Sequence, residues 1–306
     1  GFVDSRQRDA HANQSFAGAL QNAWIGIEQI VNEPSTTGLS AQLSDFWASW
    51  HDVVNHPDDE SARSQLLSQA GTLVDTITSS RTAVDTQFAT ARNQLGAVAQ
   101  EINGTSRSVA ELNDRIRTAQ ATGSQVNEMA DQRDQLVLRL SQLTGATARA
   151  NDDGTVDVLL GGSMLVSGNR STAVQVAGAG QVDEVGTTPP GPVHLEFTDG
   201  RAAIVGSGQA GGLMAAMNSA YPSTAAGLDK VAKTLADSVN TLHRTGRGLD
   251  DFGPVDPADP TGPQKPAPNR DFFSGTDARS LAVAITNPRD VAAAADGKGV
   301  DDTSLA

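Results

Sequence analysis

A glycine-rich segment is the first part of the chain that could do chemistry. Residues 206–211 read Gly-Ser-Gly-Gln-Ala-Gly, which matches the Gly-x-Gly-x-x-Gly pattern of dinucleotide-binding turns, and they lie between a predicted strand and a predicted helix. A dinucleotide site also needs a parallel strand that ends in an acidic residue about 20 positions further on. Asp229 stands at that distance but falls within a helical pattern, and the strand before the glycines belongs to an antiparallel hairpin. The segment is therefore interpreted as a connector, and we expect no nucleotide cofactor.

No other set of residues has the spacing of a catalytic or metal site. A zinc-binding helix needs two histidines at positions i and i+4, and a serine hydrolase needs a Gly-x-Ser-x-Gly turn; the sequence has neither. Cysteine is absent, which excludes disulfides, thiolate ligands and cysteine nucleophiles. The histidines are interpreted as scattered surface residues: His11, His51, His56, His194 and His243. We expect no enzymatic activity, no metal and no cofactor.

A charged triplet and a pair of tryptophans have two possible roles each. Asp131, Arg133 and Asp134 could do acid–base work, but ion pairing with neighbouring helices is the commoner role of such clusters and is favoured here. Trp50 falls on the apolar face of its predicted helix and is expected in the core. Trp47 lies beside that face and fits either a core position or an exposed anchor for a partner.

The charge balance excludes two kinds of partner. The sequence has 36 Asp and Glu against 22 Lys and Arg, a net charge of −14 that repels nucleic-acid phosphates and anionic lipids. No run approaches the ~18 to 20 apolar residues of a membrane span, and residues 1–10 lack the pattern of a secretory signal. Neither nucleic acid nor a membrane is an expected partner.

Helical periodicity dominates the first half of the chain. A first apolar stripe is expected to end at Asn32-Glu33-Pro34, because proline disfavours the α conformation in the residue before it. A second stripe, which includes Phe46, runs from Leu39 to Val53. A third helix is predicted to begin at Pro57, since proline suits the first helical position.

The third helical pattern is the longest. Its apolar residues recur from Ala62 to Ile116 with a period close to 3.5, which is typical of a coiled coil and predicts one or two long rods. Gly104 weakens this helix by ~1 kcal/mol relative to alanine. After a turn at 122–124, a further helix is predicted to fold back and to be capped by Gly145.

Between residues 147 and 205 the periodicity changes to two, which predicts strands. Hairpins are expected on the Asp-Gly turns at 153–154 and 199–200. Helical spacing then returns from Leu213 to Leu242, with an interruption expected at Pro222. Residues 281–285 fit either a strand or the start of a helix.

The predicted fold class is α+β: an elongated helical bundle or coiled-coil domain with a small antiparallel β domain inserted in it. Residues 1–145 and 211–250 form the predicted helical domain, and residues 146–210 form the β domain. Residues 251–270 are interpreted as a proline-rich flexible loop. Residues 271–306 are expected to return toward the helical domain.

Several motifs in a fixed order give the chain a resemblance to a known family. They are Asn32-Glu33-Pro34, Phe46-Trp47 with Trp50, Pro57-Asp58-Asp59 ahead of Arg63, and Asp131-Gln132-Arg133-Asp134. Together with Asp153-Gly154 and Asp271-Phe272-Phe273, they cover nearly the whole chain. On these motifs the chain resembles the flagellar hook-associated protein 1 (FlgK) family, which forms the junction between the hook and the filament of the bacterial flagellum.

The resemblance implies a structural, extracellular role. It implies self-association of the full-length protein in a ring, contact with the hook protein and with the next filament junction protein, and export through the flagellar type III channel without a cleaved signal peptide. It also implies terminal apolar helices in the family, so we expect this chain to be a central fragment that lacks them. An export chaperone is expected to bind through the missing C-terminal segment.

Two other interpretations remain open. Flagellin and the second junction protein share the helical layout, although the block at 131–136 favours hook-associated protein 1. A coiled-coil adhesion or signalling module would explain the periodicity of residues 62–144 equally well, but not the ordered motifs.

Overall fold

Long helices form where the sequence has helical periodicity. A computed structural model describes residues 2–32, 35–253 and 266–295. The first four helices are α1 (Phe2–Val31), α2 (Leu39–Asn55), α3 (Glu60–Ala121) and α4 (Asn127–Thr144). Helix α1 ends where predicted, with Asn32 at a positive φ of 50°, while Pro34 lies outside the described residues. Helix α2 covers the predicted stripe from Leu39 to Val53 and ends two residues later, at Asn55.

Helix α3 begins three residues later than predicted. Asp59 accepts a hydrogen bond from the Ser61 N–H at 2.7 Å, so an acidic side chain caps the first turn. The carbonyl of Pro57 is not available to the helix, because it accepts a hydrogen bond from the Arg63 guanidinium at 2.6 Å. From Glu60 the helix runs for 62 residues without a break and passes through Gly104.

Seven strands follow α4, whose C-cap is Gly145 in the predicted left-handed conformation, with φ of 73°. They are β1 (Thr147–Ala150), β2 (Val156–Leu160), β3 (Ser163–Ser167), β4 (Arg170–Ser171), β5 (Val174–Ala177), β6 (His194–Phe197) and β7 (Ala202–Ala203). Strands β1 to β4 form one sheet in sequence order, and β5 to β7 form another. All pairs are antiparallel, and both predicted Asp-Gly hairpins are confirmed.

The predicted interruption at Pro222 is wrong. Helix α5 (Gly208–Ala215) continues through a π-helical turn (Ala216–Ala220) directly into α6 (Tyr221–His243). The Tyr221 N–H bonds to the Ala216 carbonyl, five residues back. The wider π-helical turn accommodates Pro222. Proline has no backbone N–H, and its ring would clash with the preceding turn of a regular α-helix.

Short strand pairs complete the described chain. Strands β8 (Gly246–Arg247) and β11 (Ala294–Ala295) pair with each other, as do β9 (Phe273–Ser274) and β10 (Ala282–Val283). The undecided segment 281–285 therefore contains a strand. The centre of the predicted flexible loop, residues 254–265, lies outside the described residues, as does the tail 296–306. At the ends of that loop, Arg270 forms an ion pair with Asp251.

The chain divides into two compact units that cut across the helix order. One contains residues 1–27 and 85–223, and the other contains residues 28–84 and 224–306. The first unit holds both larger sheets, and the second holds α2, most of α6 and the short strand pairs. The predicted domain boundaries at residues 145 and 211 stay a prediction.

Candidate functional site

The glycine-rich segment 206–211 contributes to close packing at the start of α5. Gly208 has a φ of +71°, and a side chain there would meet the backbone of Leu143 and Thr144 at the end of α4. At Gly211, a Cβ would lie 3.2 Å from the ring of Phe16 on α1. Glycine at positions 208 and 211 lets α5 lie close to α4 and α1. This packing explains the two glycines without a nucleotide-binding role.

Two members of the charged triplet pair with each other, since Arg133 forms an ion pair of 3.2 Å with Asp134 of the same helix. Arg133 is buried, and its Nη1 donates a hydrogen bond of 2.7 Å to the Gly154 carbonyl in the β1–β2 turn. Asp131 and Asp134 are exposed and line a groove with Arg8 of α1. The expectation that Arg133 pairs with a neighbouring helix is wrong, because the tight turn presents a carbonyl that needs a donor.

His243 is buried, which corrects its interpretation as a surface histidine. Its Nε2 lies 2.9 Å from the Ala292 N–H and its Nδ1 lies 2.8 Å from the Arg270 carbonyl. Because an N–H can only donate, Nε2 is the acceptor and the ring is neutral with its proton on Nδ1. Burial lowers the pKa of His243, and this effect outweighs the opposing hydrogen bond to Arg270. No cluster of three or more metal-binding side chains occurs among the residues that the structure describes.

Aromatic residues from α2 and from the start of β9 form one cluster. The Phe46 ring centroid lies 6.1 Å from that of Phe272 and 5.8 Å from that of Phe273, and the Trp50 ring lies 5.5 Å from Phe272. Trp50 is 8% exposed, as expected of a core residue. Trp47 packs its edge on Phe46 but is 46% exposed.

Arg63 joins two distant segments from a buried position. Its guanidinium donates to the Pro57 carbonyl and to the Val291 carbonyl, so the first turn of α3 holds the segment that leads to β11. Burial and the neighbouring Arg289 lower the pKa of Arg63. The Arg63 guanidinium nevertheless stays protonated. The Pro57 and Val291 carbonyls accept its hydrogen bonds in place of a carboxylate.

Four asparagines, which we call the docking asparagines, attach extended segments to helices. Each side-chain amide donates to a backbone carbonyl and accepts from a backbone N–H of the same residue: Asn103 with Val174, Asn113 with Val156, Asn218 with Val193, and Asn240 with Phe273. The N···O distances are 2.8 to 3.0 Å. These residues imitate the edge of a neighbouring strand, and the sequence reasoning missed their role. A polar residue within an apolar stripe, as at Asn113, is the signal that could have found them.

The remaining motif residue, Asn32, has a local role. It is exposed, and its side-chain nitrogen donates to Ser35 Oγ at 2.9 Å and to Thr37 Oγ1 at 3.3 Å. These bonds shape the α1–α2 connection. Pro34, beside it, lies outside the described residues.

These features define a helix-rich α+β protein whose buried polar groups hold strands and loops on long helices. The particular family is shown by sequence. The chain belongs to the family described as flagellar hook-associated protein FlgK helical domain, which matches residues 25–254. The resemblance drawn from the motifs is thereby confirmed.

Individual relatives agree with the family. Flagellar hook-associated protein 1 of Escherichia coli (strain K12) is 28% identical over 255 residues, which cover 80% of this chain and 45% of that protein. The protein of the same name from Bacillus subtilis (strain 168) is 24% identical over 273 residues, covering 80% of this chain and 53% of that protein. The chain thus spans about half the length of the curated relatives it matches.

A solved structure supports the fold. The flagellar hook junction protein FlgK from Burkholderia pseudomallei aligns with a TM-score of 0.71 at 20% identity, over 94% of this chain and 66% of that chain. The predicted α+β class, with antiparallel strands inserted among helices, is confirmed.

Proposed function

We propose that this chain is part of a structural subunit that joins the hook and the filament of the bacterial flagellum. The observation that carries the proposal is the family match over residues 25–254. The relatives' names, flagellar hook-associated protein 1 and flagellar hook junction protein, describe that role. The same match favours this role over flagellin, the second junction protein or an adhesion module.

The subunit acts without catalysis. In support, the polar residues that could have formed an active site hold the fold together: Arg133 binds a turn, Arg63 binds two carbonyls and His243 has both ring nitrogens engaged. A thermal-shift titration with nucleotides tests for a nucleotide site, because a ligand that binds only the folded chain raises its melting temperature further as the ligand concentration rises. We expect no change, and a concentration-dependent rise would contradict the proposal.

The partners follow from the junction role. The full-length protein associates in a ring and contacts the hook protein on one side and the next junction protein on the other. It reaches this extracellular position by flagellar export without a cleaved signal peptide. A charge of −14 disfavours nucleic acid and anionic membranes as partners. None of the described helices is both long and apolar enough to cross a bilayer.

Deletion of the gene that encodes this chain tests the proposal in the cell. Without a junction, filament subunits have no surface on which to assemble, so electron microscopy should show hooks without filaments. The gene supplied on a plasmid should restore the filaments. Normal filaments in the deletion strain would contradict the proposed function.

A further inference from the structure

The last described segment of the chain, residues 291–295, is attached by its backbone. Three hydrogen bonds and one strand pair hold it: Arg63 to the Val291 carbonyl, the Ala292 N–H to His243, the Ala293 N–H to the Arg247 carbonyl, and β11 to β8. The partners come from α3, α6 and β8. All of them belong to the compact unit that contains residues 28–84 and 224–306.

Side-chain burial adds comparatively little to this attachment. Four of the five residues are alanine, and only Val291 has a larger side chain. An alanine methyl removes far less apolar surface from water than a leucine or valine side chain does. The segment is nevertheless buried from Val291 to Ala294, so its backbone groups need partners away from water. The hydrogen bonds therefore decide whether the segment stays attached.

His243 provides the one of these anchors that can change its charge near neutral pH. Its ring is 3% exposed, with Nε2 2.9 Å from the Ala292 nitrogen and Nδ1 2.8 Å from the Arg270 carbonyl oxygen. Nε2 must accept, because the Ala292 N–H can only donate. A proton on Nε2 would place two hydrogens between the two nitrogens and turn the attraction into a repulsion. The bond therefore exists only while the ring is neutral.

Charged groups lie around the ring on several elements. Burial lowers the pKa of His243, the bond to the Arg270 carbonyl raises it, the Arg270 guanidinium lowers it, and the carboxylates of Asp271 and Asp251 raise it. Burial decides the net direction, which favours the neutral ring. The other charged and titratable groups at this place are Arg244 paired with Asp271, Asp251 and Asp290 paired with Arg270, Arg63 at the Val291 carbonyl, and His51 of α2 in the wall of the same pocket as His243.

We propose that His243 is an acid-sensitive latch for residues 291–295. While its ring is neutral, it accepts the Ala292 N–H and holds the segment on α6. When the ring takes up a proton, the bond is lost and the segment opens locally, while the helices stay folded. The inference goes beyond the junction role and does not depend on it.

The opened form takes up the proton more readily than the closed form. Opening exposes the ring and restores its ordinary pKa of about 6.5, whereas burial keeps the pKa of His243 lower in the closed form. The closed form is therefore fully favoured above about pH 6.5 and is lost as the pH falls below that value, until the pH passes the lower pKa of the closed form. Between about pH 7.5 and about pH 5.5, opening should become up to about tenfold more frequent.

Hydrogen–deuterium exchange with mass spectrometry measures this opening on the intact chain. Wild-type and His243→Gln chains are compared at these two pH values, with rates corrected for the pH dependence of exchange in an unstructured chain. Peptides that cover residues 291–295 report the latch, and peptides from residues 66–81 of α3, which contribute fully buried side chains, report the core. His51→Gln is the matched control substitution, because it leaves the His243–Ala292 bond in place.

Residues 291–295 should exchange faster than the α3 peptides at both pH values, and low concentrations of urea should not speed this exchange, because local opening exposes little surface. Their protection should fall by up to about tenfold at the lower pH in the wild-type chain and stay constant in His243→Gln. Unchanged protection in the wild-type chain, the same pH response in His243→Gln and His51→Gln, or exchange no faster than that of α3 would overturn the inference. The wild-type chain alone gives the first and the last of these outcomes, so the test does not depend on the folding of the variant.

Discussion

At the scale of single residues, Asn113 shows how a polar side chain serves in the middle of an apolar helix face. It is fully buried on α3, and its amide bonds to the N–H and the carbonyl of Val156 and also to the carbonyl of Gly168. The two Val156 groups are buried away from water, and the Gly168 carbonyl is partly buried. The asparagine thus completes hydrogen bonding that no neighbouring strand provides.

Replacement of Asn113 by alanine should be strongly destabilising. It leaves the N–H and the carbonyl of Val156 buried without partners, and each such group costs about 1 to 3 kcal/mol, so we expect a loss of about 2 to 5 kcal/mol in the free energy of unfolding. Urea denaturation measures it. Asn169→Ala is the matched control, since Asn169 makes one bond of 3.3 Å at an exposed position and should lose less than about 0.5 kcal/mol. Equal losses would show that the docking asparagines do not carry the attachment.

His243 should make the stability pH-dependent. Burial lowers its pKa in the folded protein, so the unfolded chain binds a proton first as the pH falls. Stability is therefore complete above the unfolded pKa of about 6.5 and decreases below it, until the pH passes the lower folded pKa. Protonation also removes the acceptor of the Ala292 N–H.

Denaturation midpoints between neutral and mildly acidic pH test this expectation. His243→Gln, which can still donate and accept but does not titrate, should flatten the profile. His51→Gln, at an exposed histidine, is the matched control substitution. A wild-type profile that is flat over the same range would contradict the assignment.

The sequence predicted residue roles where the helix period alone decides burial. Trp50 lies on the apolar face and is buried, whereas Trp47, about one-sixth of a turn aside, is 46% exposed. Arg133 and His243 were misjudged because their partners, Gly154 and Ala292, come from turns far along the chain. Residue type and spacing do not show which turn will lie against a helix.

At the scale of elements, glycines distinguish helix faces that pack from those that do not. At Gly212 on α5, a Cβ would meet the Phe16 carbonyl and lie 2.8 Å from the Ala19 Cβ on α1. At Gly227 on α6, the space around a Cβ is empty. The two positions therefore predict opposite effects of the same substitution.

Gly212→Ala should destabilise the protein by about 1 to 3 kcal/mol, the usual cost of overpacking, because α5 must move away from α1. Gly227→Ala should stabilise it by about 0.4 to 1 kcal/mol, since alanine restricts the unfolded chain and favours the helix. Thermal unfolding of both variants decides the matter. Changes of the same sign would mean that α5 does not pack as closely as described.

Elements with strong local signals were predictable. The Asp-Gly turns predicted both hairpins, and Gly145 predicted the end of α4. These predictions succeeded because a turn or a helix cap depends on only a few adjacent residues. The continuity of α5 and α6 was not predictable, because a π-helical turn has no sequence signature that distinguishes it from a proline break.

At the scale of the whole molecule, the β region leaves and rejoins the helices at neighbouring points. A Cβ on Gly145, after α4, would meet the side chain of Ser207, before α5. The ends of the insertion are thus close enough for a short linker. The division of the chain into two compact units was not predicted, because it cuts through α1 and α3, each of which is one continuous helix.

Replacement of residues 147–205 by a short Gly/Ser linker should leave most of the helical far-ultraviolet circular dichroism. The helices should lose stability, since Asn103 and Asn113 lose their partners, but they should keep their fold. The full chain at the same concentration is the reference. Collapse of the helical signal would show that strands and helices share one core.

The junction role of the whole molecule is tested most directly by locating it on flagella. The chain has no cysteine, so Gln125→Cys, in the exposed α3–α4 turn, gives a single thiol for a fluorescent maleimide on living cells. Ser141→Cys, at a buried position, is the control that should remain unlabelled. We expect one fluorescent point at the base of each filament. Label along whole filaments or over the cell body would contradict it.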